Sequence, residues 1–330
     1  MKENSLSYDE KLDIVIPIYN EEESIELFHA SLVNVIASLP LSVRVLYVDD
    51  GSKDLTAEKV RAFMNAEVRV ELIQLSRNFG HQAALTAGLD YASGDWVLSM
   101  DGDGQHPPEM IPEMLKLGKS GYDLVLTQRI ESDQATGFKH RTSSLFYRLI
   151  NRLAETPVVP GSADFRLMNR KTLNALRSMP EYHRFLRGMV AWLGFRSLIL
   201  PFEPAERLRG ASKYSLRKMV KLAMDATFSF SLTPLYASLV LGCGFLLLAL
   251  VEVVYVLSFW LRGAQSSLEP GWSSLMFMLL MVGGTLLVML GVTGIYVGYI
   301  LQEVKKRPVY IIGEIYSHQK DSKSDRRLKE

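Results

Sequence analysis

Asp101 and Asp103 stand one glycine apart at the end of a short apolar run, within Val97-Leu98-Ser99-Met100-Asp101-Gly102-Asp103-Gly104-Gln105-His106-Pro107-Pro108. Two carboxylates so close repel each other unless a cation lies between them. Hard oxygen ligands of this kind suit Mg2+ or Mn2+, which keep some waters and share their other positions with phosphate oxygens. Gly102 and Gly104 allow the backbone to turn sharply and to approach a ligand. Taken by itself, the string also fits a solvated Asp-Gly turn. Two more polar strings follow apolar runs in the same manner: Pro17-Ile18-Tyr19-Asn20-Glu21 and Asp49-Asp50-Gly51-Ser52. An aromatic ring, an amide and carboxylates brought together can hold a nucleobase and ribose by stacking and hydrogen bonds. Each alone is more often an ordinary turn; three on one edge make coincidence much less attractive.

These strings meet only if the runs before them are neighbouring strands. Short β-branched runs at 12–18, 43–48, 70–75, 96–100 and 124–127 alternate with helical patterns at 22–39, 56–65, 81–92 and 108–117. That alternation predicts an α/β domain with a mainly parallel sheet and helices on both faces. Ligands bind at the carboxyl edge of such sheets, where all three strings fall. Glu21, Glu22 and Glu23 crowd one helix start, and Pro107-Pro108 opens another. No Gly-x-Gly-x-x-Gly follows the first strand and no P-loop string occurs, so the common dinucleotide and P-loop readings lose their support.

The 330 residues, 48% of them hydrophobic, suffice for one or two domains with an ample core. A net charge of +1 gives no support to nucleic-acid binding. The single cysteine, Cys243, permits no intrachain disulfide and fits a reducing compartment for the soluble part. Residues 1–13 lack the apolar stretch of a cleavable signal peptide.

Beyond residue 137 the pattern changes. Amphipathic helices with basic faces are expected at 138–154 (Arg141, Arg148, Arg152) and 214–228 (Arg217, Lys218, Lys221), suited either to an anionic headgroup layer or to ordinary core packing. The stretches 235–261 and 273–301 each exceed the ~20 apolar residues that cross a bilayer. Basic residues gather before the first (Lys213, Arg217, Lys218, Lys221) and after the second (Lys305, Lys306, Arg307), whereas the loop between carries only Arg262. The positive-inside rule then makes the chain a multi-pass protein with its amino-terminal domain and tail in the cytosol. Glu252 in the first stretch reads as a snorkelling or interhelical polar group. Gly283, Gly284, Gly291, Gly294 and Gly298 give the second a small-residue face for another helix. The expected organisation is a catalytic domain over 1–212, a juxtamembrane helix over 213–229, a transmembrane hairpin over 230–304, and a tail over 305–330 with a strand at 307–312 and a disordered end from 317.

In order along the chain stand Val15-Ile16-Pro17-Ile18-Tyr19-Asn20-Glu21-Glu22, Val48-Asp49-Asp50-Gly51-Ser52, Arg77-Asn78-Phe79-Gly80, the Asp101–Pro108 string, Ala163-Asp164-Phe165-Arg166-Leu167, Arg207-Leu208-Arg209-Gly210-Ala211-Ser212-Lys213-Tyr214 and Lys306-Arg307-Pro308-Val309-Tyr310. This set resembles glycosyltransferase family 2, in particular its dolichol-phosphate mannose synthase and bactoprenol glucosyltransferase branch. The resemblance covers nearly the whole chain. It implies a GT-A, Rossmann-like fold and an inverting, metal-dependent transfer of one sugar from a nucleotide sugar to a polyprenyl phosphate. Carried over by motif, Pro17, Tyr19, Glu21 and Asp50 correspond to nucleotide contacts, and Asp101, Asp103 and Gln105 to the Mg2+ or Mn2+ and diphosphate site. Arg129, Arg141 and Arg207 correspond to positions that meet the acceptor phosphate, with Ser212 and Lys213 beside them. Asp164 corresponds to an acidic group near sugar and acceptor, orienting them or acting as base. Gly104 departs from the leucine of many relatives, with no loss of metal binding expected.

UDP-glucose and undecaprenyl phosphate at the inner membrane are the first expectation for substrates. GDP-mannose, an N-acetylated sugar, and a non-catalytic scaffold that binds sugar nucleotides are the alternatives. The Gln-x-x-Arg-Trp string of processive relatives is absent, because Gln74-Leu75-Ser76-Arg77 continues to Asn78, and two spans make poor material for a flippase or polymer channel. The glycine face and the resemblance together imply a homo-oligomer, a tetramer being the expected size.

Overall fold

A computed structural model describes residues 10–64, 68–130, 162–204, 233–262 and 271–317. The chain forms two compact units, one built from the amino-terminal residues and 308–317, the other from residues 233–262 and 271–307. The helices expected at 138–154 and 214–228, and with them Arg141, Arg207, Ser212 and Lys213, lie outside the described residues.

The first unit carries strands β1 (Lys11–Ile18), β2 (Ser42–Asp49), β3 (Arg69–Leu75), β4 (Trp96–Ser99), β5 (Leu124–Arg129), β6 (Ser162–Asn169), β7 (Ser197–Phe202) and β8 (Ile312–Tyr316). Its helices are α1 (Ile25–Ile36), α2 (Thr56–Phe63), α3 (His81–Tyr91), α4 (Ile111–Lys119), α5 (Arg170–Arg177) and α6 (Leu186–Trp192), with a 3-10 turn at Pro108–Met110 before α4. All strands join one sheet in the order β7-β5-β6-β4-β1-β2-β3-β8. The pairs β4-β1, β1-β2 and β2-β3 are parallel, as the alternating pattern requires, and so is β5-β7. β6 runs antiparallel between β4 and β5, and β8 antiparallel to β3.

β1 is buried along all but its first residue, as a central strand covered on both faces must be. Ile14, Ile16, Tyr47 and Leu72 share one core with Phe28, Leu32 and Val60 of α1 and α2. α3 lies against the sheet so closely that a Cβ on Gly88 would stand 2.3 Å from Val15 Cγ1 and 2.9 Å from Val48 Cγ2. Only glycine fits there, and the approach fixes where the first turn of α3 comes to rest.

The strand expected at 307–312 is displaced to Ile312–Tyr316. Tyr310 donates its hydroxyl to Asp90 at 3.0 Å, so the chain is still crossing toward the sheet at that point. Pairing with β3 begins once Ser76 N–H has reached the carbonyl of Ile311 at 2.9 Å.

The second unit holds α7 (Thr233–Leu261) and α8 (Trp272–Lys305). Gly242 of α7 lies against α8, since a Cβ there would meet Met289 Cε at 2.9 Å. Among the described residues one stretch, Met281–Lys305, is long and apolar enough to cross a bilayer, and its side chains are exposed rather than packed inside the protein. This one apolar helix suggests membrane association. At Gly283, Gly284, Gly291, Gly294 and Gly298 an added Cβ would meet nothing described within 4 Å.

At the amino edge of the sheet, Arg44 bonds Asp13 at 2.6 and 3.0 Å and reaches Glu71 at 3.4 Å, and both acids are almost fully buried. Removing the cation leaves desolvated Asp13 with no charged partner, while Ser93 and Gly94 N–H still donate to it and Arg69 still binds Glu71 at 3.0 Å. The loss then falls at the low end of the about 3–5 kcal/mol that breaking a buried pair costs. Arg44→Ala therefore lowers the unfolding free energy of the full chain by about that amount, measured by denaturant unfolding with Tyr and Trp fluorescence.

Candidate active site

Because β4, β1 and β2 are parallel, the loops after them open on one edge, and hydrogen bonds lace them together. Asn20 N–H donates to Ser52 Oγ at 2.9 Å, Lys53 N–H to Asn20 Oδ1 at 2.9 Å, and Glu21 N–H to Thr56 Oγ1 at 2.8 Å. Asn20 itself has φ 51°, a conformation that Asn tolerates better than most residues. Pro17 is buried at the end of β1, Tyr19 and Glu21 are half-buried, and Ser24 Oγ donates to the Glu21 carboxylate at 2.8 Å.

Asp50 is buried and accepts backbone N–H bonds from Phe79 at 2.7 Å and Gly80 at 2.9 Å. Burial raises its carboxyl pKa, and those two bonds partly offset the rise. Gly51 beside it, at φ 70°, lies so close to the next loop that a Cβ would stand 2.7 Å from the carbonyl carbon of Arg77. Asp50 thus pins the β3–α3 loop, and the loop delivers His81 and Gln82 to the edge.

The acidic pair sits on a turn that other side chains hold in shape. Asp101 N–H donates to His106 Nδ1 at 2.9 Å, and Gln105 N–H to Asp103 Oδ1 at 3.0 Å. His106 is buried with its ring stacked on Phe165, 5.1 Å between centroids. Desolvation pushes its pKa down against the pull of Asp101 and Asp103, in keeping with a neutral ring that accepts at Nδ1. Arg129, at the end of β5, donates to Gln105 Oε1 at 2.8 Å, which joins it to the same turn.

Asp101 Oδ1 is buried and accepts no hydrogen bond among the described residues. A desolvated carboxylate oxygen in that state needs a positive partner. His81 Nε2 is the nearest, at 3.5 Å, outside hydrogen-bond range for well-aligned groups. Among the described residues no three His, Cys, Asp or Glu side chains gather to hold an ion unaided. Two carboxylates and an amide fit a hard cation that completes its shell with water and phosphate oxygens.

Asp164 faces the pair from β6. Its carboxylate, 2% exposed, is bound by Arg166 Nη2 and by Arg187 Nη2 at 3.0 Å, with Gln82 Nε2 at 3.3 Å and His81 Nε2 at 3.5 Å. Burial alone would raise its pKa, but Arg187, Arg166 and His81 outweigh it and hold the carboxyl well below the ordinary range. Desolvation pulls His81 down, yet Asp101 and Asp164 on either side lift it to about 9, with 40% of its side chain still in solvent. Asp101, His81 and Asp164 therefore form an alternating row of charge across the site.

Residues 13–177 match the family model described as glycosyl transferase family 2. The chain is 40% identical to an uncharacterised glycosyltransferase, YkcC, of Bacillus subtilis (strain 168) over 92% of its own length and 93% of that protein. It is 34% identical to the prophage-derived bactoprenol glucosyl transferase of Shigella flexneri over 92% of its length and 97% of that protein. The chain belongs to glycosyl transferase family 2. As a glycosyltransferase it also resembles the crystal structure of glucosyl-3-phosphoglycerate synthase from Mycobacterium tuberculosis with Mn2+, UDP-glucose and phosphoglyceric acid. That likeness has a TM-score of 0.44 and 19% identity over 68% of this chain and 79% of that one.

In this family member the edge unites Tyr19, Glu21, Asp50, Asp101, Asp103, Gln105, Arg129 and Asp164, each named from the sequence. Four partners were not singled out there: His81, Gln82, Arg166 and Arg187. His81 and Gln82 follow directly on the Arg77-Asn78-Phe79-Gly80 string, and Arg166 lies two residues from Asp164, so a strand period of two was their signal. Arg187 has no such marker.

The raised pKa of His81 carries a pH dependence. Its contribution to stability is complete below the ordinary 6.5 and is lost as pH rises through about 9. In metal-free buffer, the stability advantage of the natural chain over His81→Gln should shrink steadily across that window. Thermal unfolding of both proteins at a series of pH values checks it; an advantage that grows toward pH 9 would overturn the assignment.

Proposed function

We propose that this glycosyltransferase moves one sugar from a nucleotide sugar, UDP-glucose in the first instance, to undecaprenyl phosphate in the membrane, inverting the anomeric centre. The observation that carries the reading is the division of charge at the edge. Asp101, one oxygen of which accepts no hydrogen bond among the described residues, and Asp103 face where a donor diphosphate and its cation would lie. Arginines gather around Asp164 and at Arg129. The name of the Shigella relative supports glucose and bactoprenol as substrates.

Tyr19, Glu21 and the loop pinned by Asp50 would receive the nucleoside, with Pro17 setting the end of β1. Asp101, Asp103 and Gln105 would hold Mg2+ or Mn2+, which supplies charge neutralisation to the departing diphosphate when bound. One oxygen of the lipid phosphate attacks the anomeric carbon, the bond to the diphosphate oxygen breaks, and the nucleoside diphosphate leaves with that electron pair. Phosphate monoesters have a second pKa near ~6, so the nucleophile is already ionised at neutral pH. No strong base is then required. A carboxylate held well below its ordinary pKa, as Asp164 is, makes a poor proton acceptor and a good anchor for guanidinium groups. Asp164 accordingly orients the acceptor side. Arg129, Arg141 and Arg207, with Ser212 and Lys213, would receive the phosphate, since several cations must offset two converging anions.

In this reading α7 and α8 both cross the plasma membrane, with the catalytic unit and the tail cytosolic. The tether raises the effective concentration of an acceptor that cannot leave the bilayer.

A panel of nucleotide sugars offered with undecaprenyl phosphate and Mn2+ or Mg2+, with the lipid product identified by mass, tests the reaction. A hexose on the lipid from UDP-glucose is expected; a product from GDP-mannose alone would replace the donor assignment. Asp103→Asn should lower transfer by roughly 100-fold or more while the protein still enters the membrane, since the lost charge acts on the leaving group. Retention of near-normal turnover would remove the metal role. Arg207→Ala should raise KM for the lipid more than KM for the nucleotide sugar, and equal losses would count against its place at the acceptor.

A further inference from the structure

His106 follows the acidic pair on the same turn, but its side chain is only 1% exposed, so it serves the site other than by touching a ligand. Two aromatic rings hold it. It stacks on Phe165 of β6, with centroids 5.1 Å apart and planes 17° from parallel, and meets Phe202 at the end of β7 edge-on at 5.8 Å. Phe165 and Phe202 themselves stand edge to face at 6.0 Å, and both are buried. Such contacts are favourable for aromatic pairs, and close packing on two sides leaves the imidazole one orientation.

That orientation aims Nδ1 at the main chain of Asp101. Met100 N–H still donates to the carbonyl of Val15 at 3.1 Å, in continuation of the sheet. Pairing of β4 with β6 ends at Ser99, and the Asp101 N–H donates to His106 Nδ1 at 2.9 Å instead. An amide N–H can only donate, so Nδ1 is the acceptor and the ring carries its proton on Nε2. Nε2 lies 3.7 Å from Asp101 Oδ2, too far for a hydrogen bond. The histidine therefore grips the backbone of Asp101 rather than its carboxylate. Asp103 is braced separately, by Gln105 N–H at 3.0 Å. Mg2+ demands near-ideal octahedral geometry at about 2.0–2.1 Å, so carboxylates that share it tolerate little play.

We infer that His106 is the positioning residue of this turn: its Nδ1, fixed by the seat of Phe165 and Phe202, holds the Asp101 backbone where both carboxylates can reach one divalent cation. The inference rests on the metal role proposed above for Asp101 and Asp103. It adds that affinity for the cation depends on a hydrogen-bond acceptor at one buried atom.

Two substitutions separate the acceptor from the ring. His106→Asn can bring its amide oxygen near the position of Nδ1 but gives up most of the aromatic packing. His106→Phe keeps a ring on Phe165 and offers Asp101 no acceptor. Full-length protein in detergent is titrated with Mn2+ alone, the free ion being counted by electron paramagnetic resonance, and thermal unfolding in EDTA is recorded beside it. His106→Phe should bind Mn2+ roughly 10-fold more weakly than the natural chain, the scale on which groups that support metal ligands act. His106→Asn should unfold at a lower temperature yet bind within about threefold of the natural chain, because the acceptor is restored. A merely structural role would make Mn2+ affinity follow stability in both. Phe202→Leu leaves the histidine in a looser seat and tests the same point without removing it; binding should weaken by a smaller factor. Equal Mn2+ affinity in the natural chain, His106→Phe and Phe202→Leu overturns the inference and leaves the proposed metal site standing. A loss in His106→Asn as large as in His106→Phe also overturns it, since the acceptor would then not be the cause. A natural chain that binds no Mn2+ defeats the metal site itself, and the inference with it.

Discussion

A carboxylate buried between two guanidiniums is the constraint around which the candidate site is built. Asp164 could not remain ionised at 2% exposure without Arg166 and Arg187, and Arg166 could not enter the interior without it. The strand that carries the acid and one of its partners is antiparallel to β4, so it approaches the carboxyl edge from outside the parallel set. Ser99 Oγ donates to the carbonyl of Asp164 at 2.7 Å and fixes the height of that carboxylate relative to the Asp101 loop. From there the electrostatics follow in order. Asp164 stays anionic, His81 is drawn into the gap as a cation, and Asp101 stands beyond it with one oxygen still lacking a hydrogen bond among the described residues.

The parallel half of this arrangement was legible in the chain itself. Short β-branched runs separated by amphipathic helices leave few topologies, and parallel neighbours must open their loops on one side. That logic gathered Tyr19, Asp50 and Asp101 without any contact being known. The antiparallel half was harder to read. In Ser162–Asn169 polar and apolar residues alternate, which ordinarily marks a strand with one face in water. Here the polar face is buried too, because Asp164 and Arg166 neutralise each other and α6 closes over them. A pattern of residue types does not say whether a charged face meets water or its own counter-charge, and Arg187 contributes from a separate helix with no periodicity to announce it.

The tail shows the same limit in another form. A strand after the apolar helix was expected from its β-branched residues, but its register is set by long-range partners. Tyr310 reaches Asp90, and Arg61 lies over the ring of Tyr316 at 5.1 Å, so pairing with β3 starts later than composition alone suggested. Asp50 illustrates the converse. The sequence placed it at the edge, and the geometry adds that both of its oxygens accept backbone N–H groups of the β3–α3 loop. A residue of this kind shapes the edge through the loop it holds as well as through its own position.

α3 draws these threads together. Its first turn carries His81 between two acids and Gln82 onto Asp164, while Gly88 presses its middle against Val15 and Val48. At its far end Arg177 donates to the carbonyls of Leu89, Asp90 and Ala92, supplying donors to groups a helix terminus would leave unpaired. Tyr310 binds the Asp90 side chain at that same end, only a few residues after the apolar helix finishes at Lys305. This helix is therefore held at its base by the segment that follows α8 and presents its tip to the carboxyl edge of the sheet. Small displacements of α3 would shift His81 relative to both carboxylates at once. The row of alternating charge is thus only as well placed as this helix, and the glycine contact, the arginine cap and the tyrosine bond all hold the helix against the sheet.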